Sequence, residues 1–191
     1  MFIVSQSRSQ VIYLRTIKIK MNNMSQNQPK RAIAVIPSDT INIPQPGAYL
    51  SGASSTNGTA LTTAGAKFID GDSTIGRNNF VTAGDVVISG TEIAQVVKVD
   101  SNTVLTLAAP GITAAAPNDY KIYRSNGGAV NATQGTDGYS LFVGGAGDVA
   151  VVTVGGDEIV MKNVGNASFI PQQVIRVKAA GTTASDIIAL D

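Results

Sequence analysis

The 191-residue sequence contains no cysteine, no histidine and no tryptophan. Without cysteine the chain has no disulfide, no thiolate metal ligand and no cysteine nucleophile. Without histidine it has no Ser-His-Asp triad and no imidazole to transfer protons near neutral pH. Only carboxylate, lysine and tyrosine chemistry is left, so we expect a protein that is not an enzyme and that needs no cofactor.

Aromatic residues and long apolar runs are also scarce. Aromatics make up 5% of the sequence, and the apolar content of 43% comes mainly from Val, Ile and Ala, which suit pleated sheets. No apolar run approaches the roughly 20 residues that a membrane-spanning helix needs. Residues 1–20 make a poor signal peptide because Arg and Lys interrupt them. We therefore expect no membrane partner.

Acidic residues are missing from the first 38 positions. Six basic residues there give a charge of +6, and the remaining 8 basic and 13 acidic residues give the rest of the chain a net charge of −5. This division predicts a basic, flexible amino-terminal arm over residues 1–31, which either docks on an acidic protein surface or is a solvated tail. The arm does not interleave aromatic and basic residues as a nucleic-acid platform would, so we expect no direct contact with nucleic acid.

Short runs of Val, Ile and Thr alternate with glycine turns throughout the rest of the chain, and no stretch keeps a helical period over three turns. Strands recurring about every ten residues are typical of all-β sandwiches and barrels. The sequence therefore predicts an all-β fold, a short-stranded sandwich or barrel domain with an inserted small β-barrel-like module. We assign residues 32–46 plus 124–191 to the discontinuous domain and residues 47–123 to the inserted module.

Two polar stretches flank the predicted strands of the inserted module. Residues 48–66 are rich in Gly, Ser, Thr and Ala, which predicts a linker or an entry loop, and residues 125–138 form a second glycine-rich joint. Between them we predict five short strands, which are Phe80-Val81, Asp85 to Ser89, Glu92 to Val99, Thr103 to Leu107 and Tyr120 to Arg124.

Three patterns resemble ligand sites, but each has a plainer interpretation. Gly144-Gly-Ala-Gly147 lacks the following helix and the Gly-Lys-Ser/Thr of a phosphate loop, which favours a turn between strands. Asp70-Gly-Asp72 has the spacing that opens a calcium loop, but Ile75 and Val81 occupy its sixth and twelfth positions. Carboxylates beside glycine turns usually face solvent, as we expect for Asp148, Asp157 and Glu158. We predict no catalytic, cofactor-binding or metal-binding residue.

Several short motifs occur in a characteristic order. Ala34-Val-Ile-Pro-Ser-Asp-Thr40 opens the first domain, and Gly147-Asp-Val149, Pro171, Thr182-Thr-Ala184 and Ile188-Ala-Leu190 follow in its second part. In these motifs the chain resembles the spike base and head decoration proteins of tailed phages and gene transfer agents. Short members of that family lack a counterpart to residues 47–123.

The resemblance implies a non-enzymatic virion structural protein, assembled in the host cytoplasm, that attaches to the capsid exterior or a vertex. It implies the major capsid protein or other virion proteins as partners, and a homo-oligomer such as a trimer or a pentamer. From the arm and the Pro-Ser-Asp motif we predict partner contacts at Lys30, Arg31, Pro37, Ser38 and Asp39. Two alternatives stay open, which are a neck, tail or baseplate adaptor and a carbohydrate-binding virion appendage.

Overall fold

The computed structural model describes residues 29–55, 58–70, 80–113, 118–126 and 138–191. More than half of these residues lie in β-strands and none lies in a helix, which confirms the predicted all-β class. No helix suited to crossing a membrane occurs in the described part of the chain.

The described residues contain twelve strands, which form two six-stranded sheets in which all neighbours are antiparallel. Sheet A has the order β1-β12-β8-β11-β9-β10 and consists of β1 (Ala32–Ala34), β8 (Tyr139–Gly145), β9 (Gly147–Thr153), β10 (Glu158–Val164), β11 (Ser168–Val177) and β12 (Ser185–Leu190). Sheet B has the order β2-β7-β4-β5-β6-β3 and consists of β2 (Leu50–Ser54), β3 (Ala60–Thr62), β4 (Val86–Ser89), β5 (Glu92–Ser101), β6 (Val104–Leu107) and β7 (Asn118–Tyr123).

Sheet A joins β1 to β12, which are distant in sequence. Ile33 lies opposite Ala189, and beyond this pair the Asp191 N–H donates to the Arg31 carbonyl oxygen over 2.9 Å. Alternate side chains of each strand point to one face, and on this face they form a buried core. The core residues are Ile33, Ile43, Tyr139, Leu141, Val143, Val149, Val151, Ile170, Val174, Val177, Ile187 and Ala189.

Sheet B closes nearly into a barrel. Its two end strands are linked by hydrogen bonds from Ser55 N–H to the Thr62 carbonyl oxygen over 2.7 Å and from Thr63 Oγ1 to the Ala53 carbonyl oxygen over 3.2 Å. Phe68, Leu105 and Ile122 are fully buried inside it. This confirms the fold-class prediction of a small barrel-like module within an all-β chain. Separate folding of the two sheets as domains stays a prediction.

The expectation that residues 48–66 form a linker or an entry loop is wrong, because they contain β2 and β3. β2 pairs with β7 from Leu50 opposite Ile122 onward, and a Cβ atom at Gly52 would lie only 2.8 Å from Tyr120 Oη. Small side chains therefore suit a strand that packs closely on a neighbouring tyrosine.

Two further expectations for the inserted module have different outcomes. The predicted strand at Phe80-Val81 does not form, although Val81 is buried and its N–H donates to the Phe68 carbonyl oxygen over 2.8 Å. The predicted joint at 125–138 lies mostly outside the described residues.

Candidate functional site

The predicted contact residues Lys30 and Arg31 are exposed at the start of the described chain. The Arg31 backbone extends the pairing of β1 with β12, and its guanidinium lies against Gly47, where a Cβ atom would collide with it. Arg31 therefore has a structural role, and its contact with a partner stays a prediction.

The predicted contact residues Pro37, Ser38 and Asp39 form a corner that ties the segment after β1 to β11. The Ser38 N–H donates to the Val177 carbonyl oxygen over 2.9 Å, and Ser38 Oγ accepts from the Ile41 N–H over 3.1 Å. Asp39 Oδ1 accepts from the Ala180 N–H over 3.0 Å. The Pro-Ser-Asp motif therefore fixes the fold here, and its role as a partner contact also stays a prediction.

The other motifs behind the family resemblance lie together in sheet A. The Asp148 N–H donates to Thr183 Oγ1 over 2.9 Å, and the Ala150 N–H donates to Thr182 Oγ1 over 3.0 Å. Gly147-Asp-Val149 and Thr182-Thr-Ala184 are thus in direct contact although they are distant in sequence. Pro171 lies in β11, in the interval over which the pairing of β11 with β8 shifts register.

An apolar row crosses the outer face of sheet A, on the side opposite the core. The strand registers place Ala34 opposite Ile188, Ile188 opposite Phe142, and Phe142 opposite Phe169. Phe142 and Ile188 are half-buried, whereas Phe169 is 55% exposed. We call these four residues the outer row.

The sequence prediction missed the outer row, although the sequence contains a signal for it. Leu141-Phe-Val143 and Ile187-Ile-Ala-Leu190 are continuous apolar runs, whereas a strand with one wet face alternates apolar and polar residues. Leu141, Val143 and Ile187 point into the core, so Phe142 and Ile188 must point outward. Continuous runs therefore mark strands with apolar residues on both faces.

A buried carboxylate links three parts of sheet B. Asp85 is 1% exposed, and its Oδ2 accepts hydrogen bonds from Tyr49 Oη over 2.7 Å, the Thr82 N–H over 2.9 Å and Arg124 Nη1 over 2.8 Å. The Arg124 guanidinium also lies 3.9 Å from the Tyr49 ring centre. Burial, and then the Asp85 charge, raise the pKa of Tyr49 far above its ordinary value. One carboxylate oxygen is the acceptor in all of these bonds, so Asp85 has a structural role in sheet B.

A cleft of about 590 Å³ lies beside β2, lined by Tyr49, Gly52, Thr63, Lys67 and Tyr120 among others. Burial raises the pKa of Tyr120, and no described residue forms a hydrogen bond with its buried hydroxyl. The cleft walls therefore keep these phenols neutral at physiological pH. Neutral phenols and threonine hydroxyls are hydrogen-bonding groups without nucleophilic activation.

The two sequence patterns that resembled ligand loops have structural roles where they are described. Gly144 and Gly145 end β8 and Gly147 begins β9, so the glycine run is a tight connection between strands and no helix follows it. Asp70 Oδ2 accepts a hydrogen bond from Asn102 Nδ2, whereas Asp72 lies outside the described residues. Within the described ranges, no three His, Cys, Asp or Glu side chains group together as metal ligands.

Carboxylates beside glycine turns form ion pairs on β10. Lys162 Nζ lies 2.7 Å from Asp148 Oδ2, and Lys178 Nζ lies 2.6 Å from Glu158 Oε2. Hydrogen bonds from Lys162 and from the Asn163 N–H lower the pKa of Asp148. Glu158 is mostly exposed, whereas Asp148 is half-buried.

Comparisons with protein-family models, with curated proteins and with solved structures found no match to this chain.

Proposed function

We propose that this protein is a non-enzymatic structural protein of a phage virion, a spike base or capsid decoration protein. It attaches to the head surface or to a vertex through the outer row, and its partner is the major capsid protein or another virion protein. The single observation that carries this proposal is the outer row itself, an apolar surface on a rigid sheet.

The outer row is suited to docking because its backbone is fixed before a partner arrives. Its residues alternate with core residues of β8, β11 and β12, so little conformational entropy is left to lose on binding. Phe169 is about half exposed, so burying the rest of its side chain contributes roughly 1–1.5 kcal/mol, about half the value for complete burial. Many symmetric copies then combine modest contacts into lasting attachment.

The family resemblance supports the same proposal from the sequence. Its motifs at Gly147-Asp-Val149 and Thr182-Thr-Ala184 are in direct contact, as expected of residues that specify one fold together. The alternatives are separated by copy number. Decoration proteins are present in tens to hundreds per virion, whereas neck or tail adaptors number about a dozen or fewer, as closed symmetry leads us to expect. Binding of the protein to a glycan array would instead favour the carbohydrate-binding alternative.

The experiment is to replace Phe169 by serine in the phage and to measure copies per virion by quantitative mass spectrometry. We expect Phe169→Ser to lower incorporation on the order of tenfold, since about 1.4 kcal/mol corresponds to a factor of ten. The matched control is Val97→Ser, because Val97 is also 55% exposed but lies on β5 of sheet B. Both variants should keep their unfolding free energy within about 0.5 kcal/mol of wild type. Equal incorporation of the two variants would contradict the proposed docking face.

A further inference from the structure

Strand β10 forms one end of sheet A and pairs, among the described residues, with β9 alone. The hydrogen bond from Thr153 N–H to the Asp157 carbonyl oxygen, 2.9 Å long, sets the phase of this pairing. In an antiparallel ladder, alternate residues direct both backbone groups toward the partner and the residues between them direct both away. The backbone groups of Glu158, Val160 and Lys162 therefore point away from β9.

This outward edge is complementary to itself. If a second β10 pairs antiparallel about a two-fold axis at Val160, Glu158 lies opposite Lys162 of the second copy, and Lys162 lies opposite Glu158 of the second copy. Residues directly opposite each other project on the same face, so both pairs bring opposite charges together. In this register Glu158 and Lys162 each lie opposite a residue of the other charge, and Val160 lies opposite Val160 of the second copy.

Shifted registers lose this complementarity. If the two-fold axis moves to position 159, Glu158 lies opposite Val160 of the second copy. If it moves to position 161, Lys162 lies opposite Val160 of the second copy. In both registers a charged side chain faces an apolar one. The register centred on Val160 also continues the ion pairs already present. It creates an alternating series of Asp148, Lys162, and then Glu158 and Lys178 of the second copy. Each inner charge of the series lies between two opposite charges.

The same pairing covers apolar surface that one copy leaves open. Ile159 and Val160 are 43% and 46% exposed, respectively, although they lie in the middle of a strand. On the core side of the sheet, Ile159 would lie opposite Met161 of the second copy, which extends the apolar core across the axis. The bulge after Met161, with Asn163 at φ 54°, ends the ladder after Lys162.

We propose that β10 is a dimer interface through which two copies of this chain join their A sheets into one continuous antiparallel sheet. The occupant is a second copy because the edge needs a carboxylate opposite Lys162, and residues 1–28, another segment of the chain, contain no acid. This inference does not rest on the proposed virion function.

The first test uses the full chain and measures its mass by light scattering during size-exclusion chromatography. We expect a dimer for wild type and a monomer for Val160→Pro, because proline removes an N–H that points away from β9 and is tolerated at such edge positions. The control Val160→Thr keeps this N–H and should stay dimeric. Circular dichroism should show that both variants keep wild-type strand content. A wild-type protein that stays monomeric at sub-millimolar concentration would overturn the proposal, as would a dimer that a folded Val160→Pro variant leaves intact.

The second test fixes the register. Glu158→Lys places two lysine pairs across the axis and Lys162→Glu places two glutamate pairs there, so each variant alone should dimerise on the order of tenfold more weakly. In a mixture of the two variants, the introduced lysine of one copy lies opposite the introduced glutamate of the other. The unchanged Lys162 of the first copy then lies opposite the unchanged Glu158 of the second, so a one-to-one heterodimer should form with affinity near that of wild type. If the mixture dimerises no better than the separate variants, the proposed register is wrong.

Discussion

At the scale of single residues, Asp85 accounts for much of the polar structure inside sheet B. A buried carboxylate is costly unless charged and hydrogen-bonding partners replace water. Arg124 supplies the charge, and Tyr49 and Thr82 supply further donors. These partners come from before β2, before β4 and after β7, so the carboxylate holds three chain segments together.

We expect Asp85→Ala to lower the free energy of unfolding by about 3–5 kcal/mol, because it leaves the Arg124 charge and the Tyr49 hydroxyl partly buried without their acceptor. Urea unfolding followed by circular dichroism measures this change. The control is Asp119→Ala, since Asp119 is exposed on β7. If both variants lost the same stability, Asp85 would not have the structural role given to it here.

Asp148 makes the free energy of unfolding depend on pH in the acid range. Hydrogen bonds from Lys162 and the Asn163 N–H lower its pKa from the ordinary value of 3.8, so folding favours the ionised form. The resulting stabilisation is present above that ordinary value and is lost as the pH falls through the lower pKa of the folded protein. We expect Lys162→Met to raise the Asp148 pKa and Lys98→Met to leave it unchanged, as followed by NMR titration of the carboxyl carbon. An unaltered Asp148 pKa in Lys162→Met would refute this cause.

At the scale of elements, the connection between β8 and β9 requires glycine. Gly147 has φ 158°, and a Cβ atom there would lie 2.4 Å from the Ala184 nitrogen. The obstacle is backbone, which side-chain rotation cannot relieve. The turn between β9 and β10 differs, because Gly156 has φ 90° but no atom within 4 Å of such a Cβ.

These two glycines make a matched pair. Gly156→Ala should lower the free energy of unfolding by about 1 kcal/mol, since the only strain is that of an alanine in the left-handed backbone region. Gly147→Ala should lower the free energy of unfolding by roughly 2–3 kcal/mol, because the new Cβ atom also displaces the backbone at Ala184. Thermal unfolding of both variants measures the difference. Equal melting temperatures would show that the backbone at Ala184 moves away from the new Cβ atom at little cost in free energy.

Strands with a strong local pattern were predictable, and strands that depend on distant partners were not. Thr103 to Leu107 alternates clearly and matches β6 within one residue. Leu50 to Ser54 is polar and glycine-containing, and it becomes a strand because β7, far along the chain, supplies its hydrogen bonds and Tyr120 its packing. β-Propensity mostly measures such neighbours, which a local pattern does not contain.

The same reasoning applies to the candidate surfaces. Phe142, Phe169 and Ile188 come together only through the registers of three strands, so spacing along the sequence could not identify them as a row. The Pro-Ser-Asp motif was predicted as a partner contact. Its hydrogen bonds with β11 and the following turn join segments that are distant in sequence, so only the folded chain reveals them.

At the scale of the whole molecule, sheet B contributes to the core of sheet A. Ile88 and Tyr123 are partly buried against that core, and the Gln45 N–H donates to the Arg124 carbonyl oxygen over 3.0 Å. The buried residues of this core all come from positions 33–43 and 139–189. The larger part of this core is therefore formed by residues outside the inserted module.

We expect a variant in which a short Gly-Ser linker replaces residues 48–123 to remain a soluble β-protein with a lower melting temperature. The loss of the contacts from Ile88 and Tyr123 should cost about 1–3 kcal/mol. Ile88→Ala in the full chain serves as a control that removes one of these contacts without the deletion. Circular dichroism and calorimetry measure both variants. An insoluble or unfolded deletion product would show that the two sheets fold only together.

The pairing of β1 with β12 has a consequence for synthesis of the chain on the ribosome. All strands of sheet B have been made once Tyr123 is reached, whereas β1 finds its only neighbour among the described strands near Leu190. The backbone groups of β1 stay hydrated until β12 has been synthesised. We therefore expect ribosome-bound chains stalled after about position 150 to protect sheet B from proteases while β1 is still cut. Ile33 then becomes protected only when β12 has left the ribosome and pairs with β1.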